Sequence, residues 1–373
     1  MPRNRGRGLR RIVAAAAIAT ICALVGATGA AAASAPRSFF GVVPQTTLDA
    51  STLNRMGDAN VGTLRIIISW SSIDPSAAAG DEDWSTIDPV VLDAARNGID
   101  VLPFIFGTPD WVAKDLDGQG CSGSKCALYA PKSTQARNAW SNFIGAAVDR
   151  YGPGGELWSL HPEVPANAIR AWQIWNEQNS KSFYAPKPDP KHYAKLLSAA
   201  ANAIHSRDGG ADVILGGMAE LAGSKKATPG SEYLTKLYKV KGASKSFDGV
   251  APHPYGKSIN KVTSQVDLYR DVIKKAHDKK VGFWVTEIGA GSASGGNPLN
   301  LGEKGQAKLL KKIYKYFLKQ RKKLHVQQVD WYSWQDTQQS ICAWCSSSGL
   351  LSGSGDAKPS LGQFVKLTGG QTG

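Results

Sequence analysis

A chain of 373 residues, 42% of them apolar or aromatic and 20% charged, is ordinary globular material, which excludes a collagen, a coiled-coil rod and a mostly disordered polypeptide. The length accommodates one large domain or two medium ones. The formal net charge is +14, and five of the positive charges (Arg3, Arg5, Arg7, Arg10 and Arg11) fall in the first eleven residues.

That basic start leads into an apolar stretch at 12–25 and then an alanine-rich run whose small residues suit cleavage after Ala33. Residues 1–33 therefore read as a secretory signal peptide, and 34–373 as a secreted, extracellular chain. The competing reading is an uncleaved anchor, since the 22 uncharged residues at 12–33 just suffice to span a bilayer. The alanine-rich end is a poor membrane helix and a good cleavage site. Beyond Cys22, four cysteines remain in two close pairs, Cys121 with Cys126 and Cys342 with Cys345. Four cysteines allow three connectivities, and local pairing would close two small loops in an oxidising compartment. Cross-linking of the two loops is an alternative. A four-cysteine zinc site would need thiolates from loops 216 residues apart, and a thioredoxin-like motif would need Cys342 to open a helix after a strand.

In chain order, strand-like runs fall at 39–45, 63–70, 100–107, 168–177, 212–218, 247–255, 281–289 and 326–336. Most are continuously apolar, as in Leu64-Arg65-Ile66-Ile67-Ile68, which is expected of parallel strands covered on both faces. Helical stretches with recognisable ends lie between them. Asp88-Pro89 opens one that ends at Asn97-Gly98, Ser133 opens one ending at Tyr151-Gly152, and Pro190 opens one ending at Asp208-Gly209. Successive strand starts are 24, 37, 68, 44, 35, 34 and 45 residues apart, the arithmetic of an α/β (β/α)₈ TIM barrel in a single domain. A doubly wound sheet would advertise a glycine-rich phosphate loop after its first strand, where this chain reads Val43-Pro44-Gln45-Thr46-Thr47.

Any one carboxylate is most often a solvated surface charge, but position distinguishes two. Glu177 ends the fourth apolar run and Glu287 the seventh; a barrel gathers all eight strand tips around one cup, so these acids converge although 110 residues separate them. Two carboxylates around one sugar bond are what glycoside hydrolysis requires.

The chain resembles the clan A glycoside hydrolases, retaining (β/α)₈ enzymes such as cellulases, β-mannanases, β-xylosidases and β-galactosidases. The resemblance rests on Trp175-Asn176-Glu177 at the fourth tip and Thr286-Glu287-Ile288-Gly289 at the seventh. Arg65 on the second strand, His253-Pro254-Tyr255 at the sixth and Trp331-Tyr332-Ser333-Trp334-Gln335 at the eighth support it. It implies Glu287 as nucleophile, held anionic by Arg65 and Tyr255, and Glu177 as acid/base. It further implies Asn176 on the sugar 2-hydroxyl and Trp334 as the sugar platform, with His253 either touching substrate or serving as a structural partner. Strand alternation would send residues 176 and 177 to opposite faces, so this assignment requires a bend at the tip. Trp70, Trp111 and Trp344 are candidates for further subsites, as are Gln335 and Asp336 for hydroxyl contacts.

The stretch at 304–323 carries nine Lys or Arg and no acid, interleaved with Leu309, Leu310, Ile313, Tyr314 and Phe317 at helical spacing. It reads as the solvated face of the seventh helix or as a surface attracted to an anionic cell wall or acidic polysaccharide. Nucleic acid is not an expected partner, because no recognition module is present. The expectation is thus a secreted, monomeric retaining hydrolase of a β-linked poly- or oligosaccharide, needing neither metal nor cofactor. A non-catalytic carbohydrate-binding barrel and an extracellular thiol oxidoreductase are the alternatives.

Overall fold

The computed structural model describes residues 35–77, 82–221, 223–338 and 342–373. The expected signal peptide, 1–33, lies outside the described residues. The strands are β1 (Phe40–Val43), β2 (Thr63–Ser69), β3 (Asp100–Phe106), β4 (Ala171–Asn176), β5 (Asp212–Ala219), β6, β7 (Gly282–Ile288) and β8 (Val326–Tyr332); β6 comes in two pieces, Gly249–Val250 and Pro252–His253, broken at Ala251. All pairings are parallel and neighbours follow chain order, with β4 joined to β5 and β1 joined back to β8 through Gly41 and Asp330. The sheet is therefore a closed barrel without a free edge, as the spacing of the apolar runs predicts.

Around it run α1 (Ala50–Asp58), α2 (Asp88–Arg96), α3 (Thr134–Tyr151), α4 (Pro190–His205), α5 (Gly230–Tyr238), α6 (Ile259–Lys275), α7 (Gly302–Leu324) and α8 (Pro359–Thr368). Their starts follow capping chemistry: Asp49, Ser133, Asp189 and Ser258 accept hydrogen bonds from the first-turn amides of α1, α3, α4 and α6. Leu64, Ile66 and Ile68 of β2 are buried in the large cluster that includes helix residues such as Val91 and Leu92, while Arg65 turns into the barrel. Below the cup, Leu102, Ile214, Ala251 and Trp284 form a small apolar cluster. On α7, Leu309, Leu310, Ile313, Tyr314 and Phe317 are buried, so the lysine-rich remainder is the outer face.

The two cysteine pairs are local disulfides, Cys121 with Cys126 and Cys342 with Cys345, their Cα atoms 5.1 and 5.2 Å apart. Among the described residues, no helix is long and apolar enough to cross a membrane.

Candidate active site

The site grows from two strand tips at which alternation fails. On β4, Gln173 turns into the barrel, but Trp175 has a left-handed backbone (φ 73°) and Glu177 another (φ 41°). For bulky residues this conformation is costly and usually tied to function. Its effect is to swing the Trp175 indole outward onto Trp140 and Tyr184, leaving both Asn176 and Glu177 on the cup. This is the bend that the sequence required. On β7 the pairing with β8 shifts register between Val285 and Ile288, and there Thr286 and Glu287 both reach the interior network.

Arg65, 1% exposed, organises the floor. Its Nε donates to Gln173 Oε1 at 2.7 Å, Nη2 to Asn176 Oδ1 at 2.9 Å and Nη1 to Glu287 Oε1 at 2.7 Å. Its guanidinium also lies 4.2 Å from the centroid of Phe104. The other Glu287 oxygen accepts the Tyr255 hydroxyl at 2.7 Å. Burial opposes ionisation of Glu287, but the His253 ring dipole, the Arg65 charge and the hydrogen bonds from Tyr255 and Arg65 outweigh it, holding the carboxyl below its ordinary value. Burial, then the Glu287 carboxylate, pushes the Tyr255 phenol far upward, so it remains a donor.

His253 stands between the acids. Its Nδ1 is 3.1 Å from Glu177 Oε1 and 3.6 Å from Glu287 Oε2, and its Nε2 is 3.0 Å from Thr286 Oγ1. Because Gln173 Oε1 is taken by Arg65, its amide nitrogen faces Thr286 at 3.1 Å, and the Thr286 hydroxyl is left to donate to His253 Nε2. That assigns the ring proton to Nδ1, directed at Glu177. A β-carbon on Gly217 of β5 would overlap the His253 ring, so this position admits only glycine. One oxygen of each glutamate and a ring nitrogen of His253 lie within 4.8 Å of one another, the spacing of a metal-ligand set. Yet Arg65 and Tyr255 already occupy the Glu287 oxygens, and Thr286 and Glu177 the imidazole, so the geometry is that of a hydrogen-bonded acid pair.

Glu177 and Glu287, each with 13% of its side chain exposed, open onto a cleft of about 1050 Å³ that Arg65, Asn176 and Tyr255 also line. Burial favours one of the two readings of His253 and corrects the expectation for Trp334. His253 is fully buried and does not line the cleft, which makes it a partner of the acids and not a substrate contact. Trp334 is also fully buried, because the chain leaves β8 at Tyr332 and carries the next indole back into the core. The aromatic side chains facing the cleft there are Tyr332 and Trp344, and Trp344 packs edge-on against Tyr255 with centroids 5.0 Å apart. Of the other indoles, Trp70 stacks on Phe143 in the core and Trp111 donates to the Asp74 carbonyl; neither lines the cleft. Gln335 donates to Gly353, and Asp336 accepts from Lys358 Nζ and the Gly349 amide at 2.7 Å each, so both serve the loop after β8.

Sequence reasoning passed over Gln173, Thr286, Gln45 and Asp330. Gln45 donates to Ser333, Ser348 and the Cys345 carbonyl and accepts from Tyr332, fixing the loops around the cup. Asp330 is fully buried inside the barrel, where desolvation pushes its carboxyl well above the ordinary range; Gln328 donates to one of its oxygens at 2.6 Å.

No curated protein sequence matches the chain. Among solved structures, it is similar to a family 39 glycoside hydrolase from Bacteroides cellulosilyticus, at 20% identity and TM-score 0.65 over 90% of this chain and 64% of that one. The chain thus spans under two thirds of that protein. A monomeric β-xylosidase from Caulobacter crescentus matches at 19% identity and TM-score 0.61 over 88% of this chain and 67% of that one. A xylanase from Paenibacillus barcinonensis matches at 14% identity and TM-score 0.58, over 88% and 95% of the two chains. At these identities the likeness is one of fold. The family comes from the sequence: the model described as the glycosyl hydrolase catalytic core matches residues 163–364, which run from the segment before β4 to α8 and include both tip glutamates. With more than half its length so matched, the chain belongs to the glycosyl hydrolase catalytic core family.

Proposed function

We propose that the protein is a secreted, retaining hydrolase of β-glycosides that works by double displacement. Glu287 attacks the anomeric carbon while Glu177 donates a proton to the departing glycosidic oxygen. Glu177 then takes a proton from water, which displaces the sugar from the Glu287 ester with a second inversion. The observation that carries this reading is the approach of the two carboxylates, with oxygens within 4.8 Å of one another. Retaining pairs stand about 5–5.5 Å apart, whereas inverting pairs need roughly 6.5–9.5 Å to admit a water. Arg65 and Tyr255 support the assignment of Glu287, since they favour the anion a nucleophile must be. Asn176, fixed by Arg65 and open to the cleft, is the residue for the sugar 2-hydroxyl. Export accords with two local disulfides, and the basic outer face of α7 would draw the enzyme toward an anionic wall polymer. We take the working unit to be a monomer.

The test is stereochemical. Hydrolysis of an aryl β-glycoside, followed by proton NMR before mutarotation, is expected to release the β-anomer first. The α-anomer appearing first would mean inversion and would refute the pairing of Glu177 with Glu287.

A further inference from the structure

The cleft is not uniformly suited to sugar. Most of its polar groups gather on the floor, at Arg65, Asn176, Tyr255 and the acid pair, and on the loop after β1 at Gln45, Thr46 and Thr47; Thr86, Ser182 and Tyr332 are the others. The wall beside Glu177 is different in kind. Successive turns, from Ser180 N to Glu177 O and from Phe183 N to Ser180 O, follow the acid, and Phe183 lines the cleft with it. Its ring meets Phe106 edge-on, with centroids 6.5 Å apart. Ala219 and Leu221, from the end of β5, and Ile67, from β2, line the same cleft. Four large apolar side chains are exposed among the described residues, and two of them, Ile67 at 43% and Leu221 at 37%, line this one cleft. Such exposure inside a concavity is a recognition feature rather than surface scatter.

We infer that the leaving group is an apolar alcohol, alkyl or aryl, and not a second sugar. The inference rests on the proposed role of Glu177: a general acid protonates the departing oxygen, so the group carried by that oxygen must lie on the acid's side of the scissile bond. A pyranose there would bury hydroxyls against Phe106, Phe183 and Leu221 with few partners, since beyond the floor and the loop after β1 the cleft offers the hydroxyls of Ser182, Thr86 and Tyr332. A hydrocarbon would instead lose water on both faces. This narrows the poly- or oligosaccharide expected from the sequence to a glycoside with a hydrophobic aglycone.

The test uses the mature enzyme and methyl, butyl, hexyl and octyl β-glycosides of glucose, xylose, mannose and galactose, each beside a β-linked disaccharide with the same non-reducing sugar. On the preferred sugar, kcat/KM is expected to rise roughly fourfold per added methylene until the wall is covered, with the disaccharide below the octyl glycoside. Leu221→Asn, at an exposed position that does not hold the fold together, should flatten that slope. A wild-type slope near zero, or a disaccharide preferred to the octyl glycoside, overturns the inference while leaving the glycosidase standing. If no glycoside turns over, the proposed function fails separately, and calorimetric affinities for the same alkyl series still decide the wall. Affinity that climbs with chain length, with a negative heat-capacity change, supports it, and flat affinity refutes it.

Discussion

Replacing Tyr255 with Phe removes one hydroxyl and little else. The ring can keep its edge-on contact with Trp344, and what disappears is the 2.7 Å hydrogen bond to Glu287 Oε2. A hydrogen bond to a charged acceptor contributes about 1.5–3 kcal/mol. Lost from the transition state, that is roughly a 10- to 150-fold fall in kcat/KM. The pH dependence must move as well. Glu287 is held below its ordinary value in the folded protein, so its contribution to stability is complete above the unfolded value and is lost as pH falls through the depressed folded one. Without the hydroxyl the folded value climbs back toward the unfolded one. The acid limb of kcat/KM should therefore shift to higher pH, and the stability lost on acidification should be smaller in the variant than in the wild type. The measurements are pH–rate profiles on an aryl β-glycoside and urea unfolding at neutral and acid pH. An unmoved acid limb, with kcat/KM within about twofold of wild type, would show that Tyr255 does not serve Glu287.

Glu177→Ala should be rescued by azide on activated aryl glycosides with formation of a β-glycosyl azide, whereas Glu287→Ala should not give that product. Rescue of neither variant, with folding shown intact, would remove Glu177 from its role. Trp344→Ala should raise KM about three- to tenfold, the scale of one aromatic face. Trp334→Phe, in the core, should instead cost about 1–3 kcal/mol of stability with KM unchanged, and the reverse outcome would restore Trp334 as the platform. Mass spectrometry of unreduced protein should find Cys121 joined to Cys126 and Cys342 to Cys345, and four alkylatable thiols would contradict the pairing.

The barrel was legible because its strands are buried on both faces and therefore written as unbroken apolar runs, and the acids stood out because each ends such a run. Asn176 and Arg65 came with the resemblance to the clan A hydrolases; strand alternation alone would have placed Asn176 on the face opposite Glu177. The eighth tip was illegible for a geometric reason: once the chain leaves β8 at Tyr332, strand alternation no longer says where Trp334 points, and no local pattern separates it from Trp344, ten residues on and facing the cleft. Gln173 and Thr286 did carry a signal that went unused. Each is a polar side chain inside a run that must be fully buried, and such a group needs a partner. Their partners, Arg65 and His253, are the supports of the two acids. The apolar wall could not be read at all, since an isoleucine, a leucine and two phenylalanines in strands and loops look like core until the cup is closed around them.

Trp344 sits inside the shorter of the two disulfide loops among the described residues, the four residues closed by the Cys342–Cys345 bond, and both cysteines border the same cleft. The indole leans on Tyr255, and Tyr255 holds the nucleophile. A reductant acting at the rim would thus loosen a segment that ends, two contacts later, on Glu287. The support behind the nucleophile's hydrogen-bond donor is thus only as firm as one sulfur–sulfur bond, so the shape of the cleft rim depends on that loop being oxidised.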